Sequence, residues 1–247
     1  MLAIIGGSGL YSLGDDFELE QQVPRGTPYG DTSADILQGC WQDIGLCFLP
    51  RHGPGHRVPP HRINYRANLW ALQQLGVSHV ISVNAVGGIS PEMSPLTLAV
   101  PDQIVDYSSG REHTYFEGDD SAVTHIDFSW PYSAQLRGIV IEVGLQLGQL
   151  LVAAGTYGAT NGPRLETAAE IRRMKNDGCD MVGMTGMPEA ALARELELEY
   201  ACLALVVNWA AGIEDRELSM NEILANVEQG MQKVRQVLLA AARLVGQ

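Results

Sequence analysis

Apolar residues in this chain fall into short, nearly continuous runs, separated by longer segments in which they recur every three or four positions. Residues 2–5, 44–49, 79–83, 104–106, 151–157, 181–184 and 202–207 form runs rich in β-branched side chains and read as strands. Because most are unbroken rather than alternating, they predict strands covered on both faces. Residues 63–75, 133–147, 167–177, 187–196 and 219–244 carry the spacing of one helical face and predict helices. The alternation predicts an α/β fold in which a central sheet is flanked by helices. Two helix starts carry the spacing of a capping box, Thr167 with Glu170 and Ser219 with Glu222, and Gly178 stands where the first of these helices would stop. Residues 108–130 are polar, spiked with aromatics and weakly periodic, and read as a long functional loop. No repeat, low-complexity tract or Pro/Gly linker divides the chain, so residues 1–247 read as one domain.

Composition narrows the partners. Of 247 residues 46% are apolar and 18% charged, enough for a large core and an apolar subunit interface. Lys and Arg number 16 against 29 Asp and Glu, a net charge of −13. That field disfavours nucleic acid and membrane surfaces as partners, and a phosphate-bearing substrate would need a local cluster of donors. Cys40, Cys47, Cys179 and Cys202 form no C-x-x-C pair and read as small buried hydrophobes of a reducing compartment. The apolar first five residues are too short for a signal peptide, and no run approaches the roughly 20 residues that span a bilayer. The expectation is a soluble, cytoplasmic protein.

Such a cluster of donors is found at the predicted strand ends. The first strand runs into Gly6-Gly7-Ser8-Gly9, which brings backbone amides and a hydroxyl close to an anion or simply makes a tight turn. It matches neither a dinucleotide fingerprint nor a P-loop. The second run ends in Arg51-His52, where open α/β sheets bind ligands. His52, His56 and His61 suggest a metal site, but Gly55, Pro59 and Pro60 break the helix that would gather them, so metal is disfavoured. Arg57, Arg62 and Arg66 read as a solvated surface or a subunit contact. Further ends carry Asn84-Ala85-Val86-Gly87-Gly88, Thr185 before Pro188, where Pro suits a helix's first turn, and Asn208. Glu166 stands just before a capped helix and reads either as a dipole partner or as a ligand group.

Together these segments resemble the trimeric purine nucleoside phosphorylase and methylthioadenosine phosphorylase family. The resemblance spans the whole chain and rests on RHGPGHRVPPHRINYRANLWAL, TNGPRLET and VGMTGMPEA. It implies a single nucleoside phosphorylase-like α/β domain with a mixed central sheet, a homotrimer with active sites near subunit borders, no cofactor, and inorganic phosphate as the co-substrate that displaces a purine from C1′. It places Ser8, Arg51, His52, Ala85 and Thr185 at phosphate-binding positions, with Asn84 adjoining. Met184 lies against the ribose in the same comparison, and Leu165 stands where an aromatic often stacks on the base. His125, in His125-Ile126 followed by Pro131-Tyr132, resembles the histidine that reaches the 5′ end of a neighbouring subunit's substrate.

In the adenine-cleaving branch the positions of Asn208 and Ala210 are both aspartates. Asparagine instead suits a 6-oxopurine, donating to O6 and accepting from N7 as it takes a proton. Glu166 can accept from the N1–H that a 6-oxopurine carries and adenine lacks. These assign Asn208 and Glu166 as the catalytic pair and hypoxanthine or guanine as the base. Met220 and Leu224, four apart on one helix face, read as ordinary core packing by spacing alone. In the resemblance the position of Met220 is histidine where a 5′-hydroxyl is accepted and aliphatic where a 5′-methylthio group is. An apolar wall there favours a thioether, so the expected substrate is S-methyl-5′-thioinosine. The alternatives are a general inosine/guanosine phosphorylase, a 5′-methylthioadenosine phosphorylase, and a silent nucleoside-binding protein.

Overall fold

The structure is a computed structural model that describes residues 1–118 and 122–246. Its strands are β1 (Leu2–Gly6), β2 (Phe17–Val23), β3 (Gly26–Thr27), β4 (Gly30–Asp31), β5 (Ile36–Trp41), β6 (Ile44–Pro50), β7 (His79–Gly88), β8 (Leu98–Ala99), β9 (Gln103–Asp106), β10 (Leu151–Val152), β11 (Thr156–Ala159), β12 (Met181–Gly183) and β13 (Glu199–Trp209). The helices are α1 (Tyr65–Gln74), α2 (Ala134–Gln146), α3 (Ala168–Asn176), α4 (Glu189–Glu195) and α5 (Met220–Val245).

Eleven of the strands form one mixed sheet, in the order β10-β8-β13-β7-β1-β6-β5-β2, with β12, β11 and β9 continuing from the far end of β7. At its centre β13, β7, β1 and β6 run parallel, so their carboxyl ends open on one side. Strand β12 pairs antiparallel with the end of β7, Val182 opposite Gly87, so the chain leaving β12 runs back along β7.

The unbroken apolar runs do cover two faces. Ile4, Phe48, Ile81 and Leu203 pack against α2 and α5, while Ile5, Leu49, Val80 and Cys202 pack against α1 and α4. Fully burying a large apolar side chain contributes roughly 1.5–3 kcal/mol, and both layers consist of such residues. α3 closes a smaller cluster through Ile171 and Met174.

Several expectations are corrected. The run at 151–157 is two strands, β10 and β11, because Gly155 adopts a positive φ of 143° and turns the chain between them. The antiparallel pair β2 and β5 escaped the pattern because β2 lies at the sheet edge with almost no buried face. α4 begins after Pro188, which occupies the cap position and offers no side-chain bond, so Thr185 lies upstream of the helix. The Thr167/Glu170 capping box is complete, but that of α5 is half formed. Ser219 Oγ accepts from the Glu222 amide at 3.4 Å while the Glu222 carboxylate turns to Arg216. Cys40 is only half-buried, unlike the other three cysteines. Residues 108–118 and 122–130 contain no helix or strand, as the loop reading requires.

Candidate active site

A cavity of about 490 Å³ opens where the parallel strands end. All the expected site residues except His125 line it, and its walls divide into a polar floor and an apolar mouth.

The floor is built around Arg51, which is 0% exposed. Its Nε and Nη2 donate to the two carboxylate oxygens of Glu189 at 2.7 and 2.8 Å. Nη2 also donates to Ser82 Oγ at 3.0 Å, and Nη1 to the Val83 carbonyl at 3.0 Å. Burial alone would weaken the guanidinium's hold on its proton, but the Glu189 charge and hydrogen bonds more than offset this and keep it firmly cationic. Arg51 therefore keeps one N–H of Nη1 for a ligand. Gly7 is required beside it, because a Cβ there would strike the Val83 carbonyl and stand 3.1 Å from Nη1.

Asn84 faces inward. Its Oδ1 accepts from Ser82 Oγ at 2.6 Å, and its Nδ2 donates to Thr185 Oγ1 at 2.8 Å and to Tyr157 OH at 3.4 Å. With Thr185 Oγ1 already accepting, its own hydrogen is free for the cavity. Asn84 thus lines the cavity with its amide hydrogens already committed, and it orients Thr185. His52 is buried beside Arg51, and its Nδ1 lies 2.9 Å from the Val58 carbonyl. A carbonyl only accepts, so Nδ1 carries the hydrogen and Nε2 is a bare acceptor. Burial, together with the Arg51 charge, pushes the His52 pKa down to about 4.

His56 takes a positive φ of 56° after Gly55, and its ring stacks on His52 at 4.2 Å. The Gly/Pro loop thus does bring two of the three histidines together, contrary to expectation, but as stacked rings. Among the described residues no group of three His, Cys, Asp or Glu is placed to hold a metal ion. Arg57 and Arg62 are exposed, and Arg66 pairs with Glu112 and Glu117 of the long loop.

The residues expected to hold the base come from two places. Strand β13 shifts register against β7 between Val206 and Asn208, leaving Val207 as an extra residue, and such a bulge re-aims the side chains after it. Asn208 follows the bulge and anchors one Nδ2 hydrogen on the Trp209 carbonyl at 2.7 Å, which leaves its second hydrogen and Oδ1 available. Opposite, Glu166 Oε1 accepts from Thr160 Oγ1 at 2.7 Å. Leu165 and Met184 lie beside them, Leu165 38% exposed. The mouth is apolar: Met220 and Leu224 line it, 57% and 61% exposed, together with Ile223 and Leu218. His125 is exposed and lies outside the cavity of its own chain.

Sequence reasoning missed Glu189 and Arg111. Glu189 is a lone acid in the apolar stretch Met187-Pro188-Glu189-Ala190-Ala191-Leu192, a pattern that signals a buried partner. Arg111, in the long loop, donates to the Thr160, Asn161 and Met187 carbonyls and so ties the Glu166 side of the cavity to the Thr185 side.

Comparison with known proteins agrees with this geometry. Residues 2–243 match the phosphorylase superfamily. A relative from Pseudomonas syringae pv. tomato, described as a probable S-methyl-5′-thioinosine phosphorylase, is 53% identical over 236 residues, 96% of each chain. A 6-oxopurine nucleoside phosphorylase from Pyrococcus furiosus is 43% identical over 249 residues, 99% of this chain and 92% of that one. Among solved structures, methylthioadenosine phosphorylase from Schistosoma mansoni in complex with adenine superposes with a TM-score of 0.93 at 32% identity, covering 99% of this chain and 91% of that one. The cavity therefore lies at the strand ends of a mixed α/β sheet whose chain belongs to the phosphorylase superfamily.

Proposed function

We propose that this protein is a phosphate-dependent pentosyltransferase of a single domain that cleaves S-methyl-5′-thioinosine to hypoxanthine and 5-methylthioribose 1-phosphate. The observation that carries the reading is the meeting, in one cavity, of a donor-lined floor, an Asn208/Glu166 pair and an apolar mouth. The descriptions of its relatives support it.

Phosphate would sit on the floor, held by Ser8, Thr185, the free Arg51 N–H, His52 and the backbone at Ala85. A phosphate oxygen forms the bond to C1′ as the C1′–N9 bond breaks, and the bond's electron pair leaves with the base. N7 takes up a proton from solvent and donates it in a hydrogen bond to Asn208 Oδ1, while Asn208 Nδ2 donates to O6 and Glu166 accepts from N1–H. Acceleration comes from positioning and from charge aimed at the reacting centre, a ribosyl cation above bound phosphate. No metal or organic cofactor enters this scheme.

Adenine would place a lone pair at N1 against the Glu166 carboxylate and an amino group against the Asn208 donor. Each mismatch costs roughly 1–3 kcal/mol, which supports a 6-oxopurine as the base. The Met220/Leu224 wall supports the 5′-methylthio group over a hydroxyl. The homotrimer rests on the resemblance to the trimeric family, and because His125 is exposed and lies outside the cavity of its own chain, a neighbour's His125 would complete the 5′ end. Among the described residues no helix is long and apolar enough to cross a membrane. The test is release of hypoxanthine from S-methyl-5′-thioinosine with and without phosphate. Release that tracks phosphate and yields the sugar 1-phosphate supports the reading, and release of free sugar without phosphate contradicts it.

A further inference from the structure

The floor of the cavity mixes one acceptor with several donors, and the mixture has a consequence for the ion it takes. His52 is held in one tautomer: Nδ1 donates to the Val58 carbonyl at 2.9 Å, from a residue that is only 6% exposed. That bond is its only side-chain hydrogen bond among the described residues, so Nε2 presents a lone pair. The groups facing its ring are the Arg51 guanidinium and the stacked His56, and neither is a carboxylate that would favour a protonated imidazole. Around it Arg51 Nη1, Thr185 Oγ1 and Ser8 offer hydrogens. A tetrahedral anion with every oxygen bare would satisfy those donors but would set an oxygen lone pair against the lone pair of His52.

We propose that His52 makes this cavity selective for an oxyanion that carries a proton, hydrogen phosphate, by accepting a hydrogen bond from its P–OH. The inference rests on the reading of the cavity as a phosphate site and goes one step further. It also assigns the proton a place: held on the oxygen that faces His52, it is kept off the oxygen that bonds to C1′. Sulfate has the same shape and the same double charge as hydrogen phosphate and lacks only the proton, so it isolates the effect. Arsenate is protonated at neutral pH and serves as the positive control.

The experiment measures the phosphate KM for base release, the KM for arsenate in its place, and the inhibition constant of sulfate competing with phosphate, all at constant ionic strength. A buried acceptor left unpaired weakens binding by roughly ten- to a hundredfold, so sulfate should bind at least about tenfold more weakly than phosphate, and arsenate about as well as phosphate. In His52→Gln, whose side-chain amide can turn a donor inward, the gap between sulfate and phosphate should close. The nitrogen NMR spectrum of histidine-labelled protein tests the same claim without a variant, and should show His52 with a protonated Nδ1 and a bare Nε2, with and without phosphate. Sulfate that competes as tightly as phosphate, selectivity that survives His52→Gln, or a protonated Nε2 would each overturn the proposal. Base release that does not depend on phosphate would instead overturn the reading of the cavity on which the proposal rests.

Discussion

The two ends of the cavity are built by different means. At the floor, Arg51, Ser82, Asn84, Thr185 and Glu189 are all buried and joined in one chain of hydrogen bonds; Arg51 directly follows β6, Ser82 and Asn84 lie on β7, and Thr185 and Glu189 come from the stretch after β12 and the start of α4. At the mouth, Met220 and Leu224 are exposed apolar side chains on the first turns of α5. A preorganised polar floor suits a step whose charge must be met without rearrangement. An exposed apolar rim gains most when a ligand or a second subunit covers it. On the proposed reading the ion site would be complete within one chain, whereas the 5′ site would be finished by what binds there.

The largest expected effect tests the floor. Glu189→Gln removes the partner of a fully buried guanidinium, and breaking such a pair costs about 3–5 kcal/mol. Chemical denaturation should show that loss; a change of a few tenths would mean that Arg51 does not depend on Glu189. Next comes the base side. Asn208→Ala should lower kcat on a 6-oxopurine nucleoside by roughly a hundredfold or more, as loss of an aimed donor does, with little change in the phosphate KM. Equal damage to both would remove Asn208 from its assigned role.

His52 gives a pH signature of similar or smaller size. Its folded pKa of about 4 lies below the ordinary value of 6.5, so between those values the unfolded chain binds more protons than the folded one. Stability from this group is full above about pH 6.5 and falls as pH drops toward 4, by up to about 3 kcal/mol. The difference between native protein and His52→Gln should follow that window, and parallel curves would contradict it. The smallest effect is expected at the mouth. Met220→His should shift preference toward a 5′-hydroxyl by about 1–2 kcal/mol, with unchanged stability because the residue is exposed. An unchanged ratio of inosine to S-methyl-5′-thioinosine would separate Met220 from 5′ recognition.

The same division explains what could be read from sequence. The central strands were legible as unbroken apolar runs and the five helices by their apolar spacing, and the strand-end donors were legible because small and polar residues interrupt those runs. The bulge at Val207 was not, since nothing local distinguishes it from continuous strand, although it re-aims Asn208. The edge strand β2 was hidden because it buries so little. Asn84 looked like a ligand donor from its place at a strand end, and only the three-dimensional network shows its amide committed to Thr185 and Tyr157. Glu189 was visible as a charge in an apolar stretch, but its partner lies 138 positions away and pairs with it only through the fold.

The most direct test is the relative kcat/KM for S-methyl-5′-thioinosine, inosine and 5′-methylthioadenosine at saturating phosphate. S-methyl-5′-thioinosine should lead both others, inosine trailing for want of the thioether and 5′-methylthioadenosine for its mismatched base. Preference for 5′-methylthioadenosine would contradict the roles of Asn208 and Glu166, and preference for inosine would contradict the apolar 5′ wall.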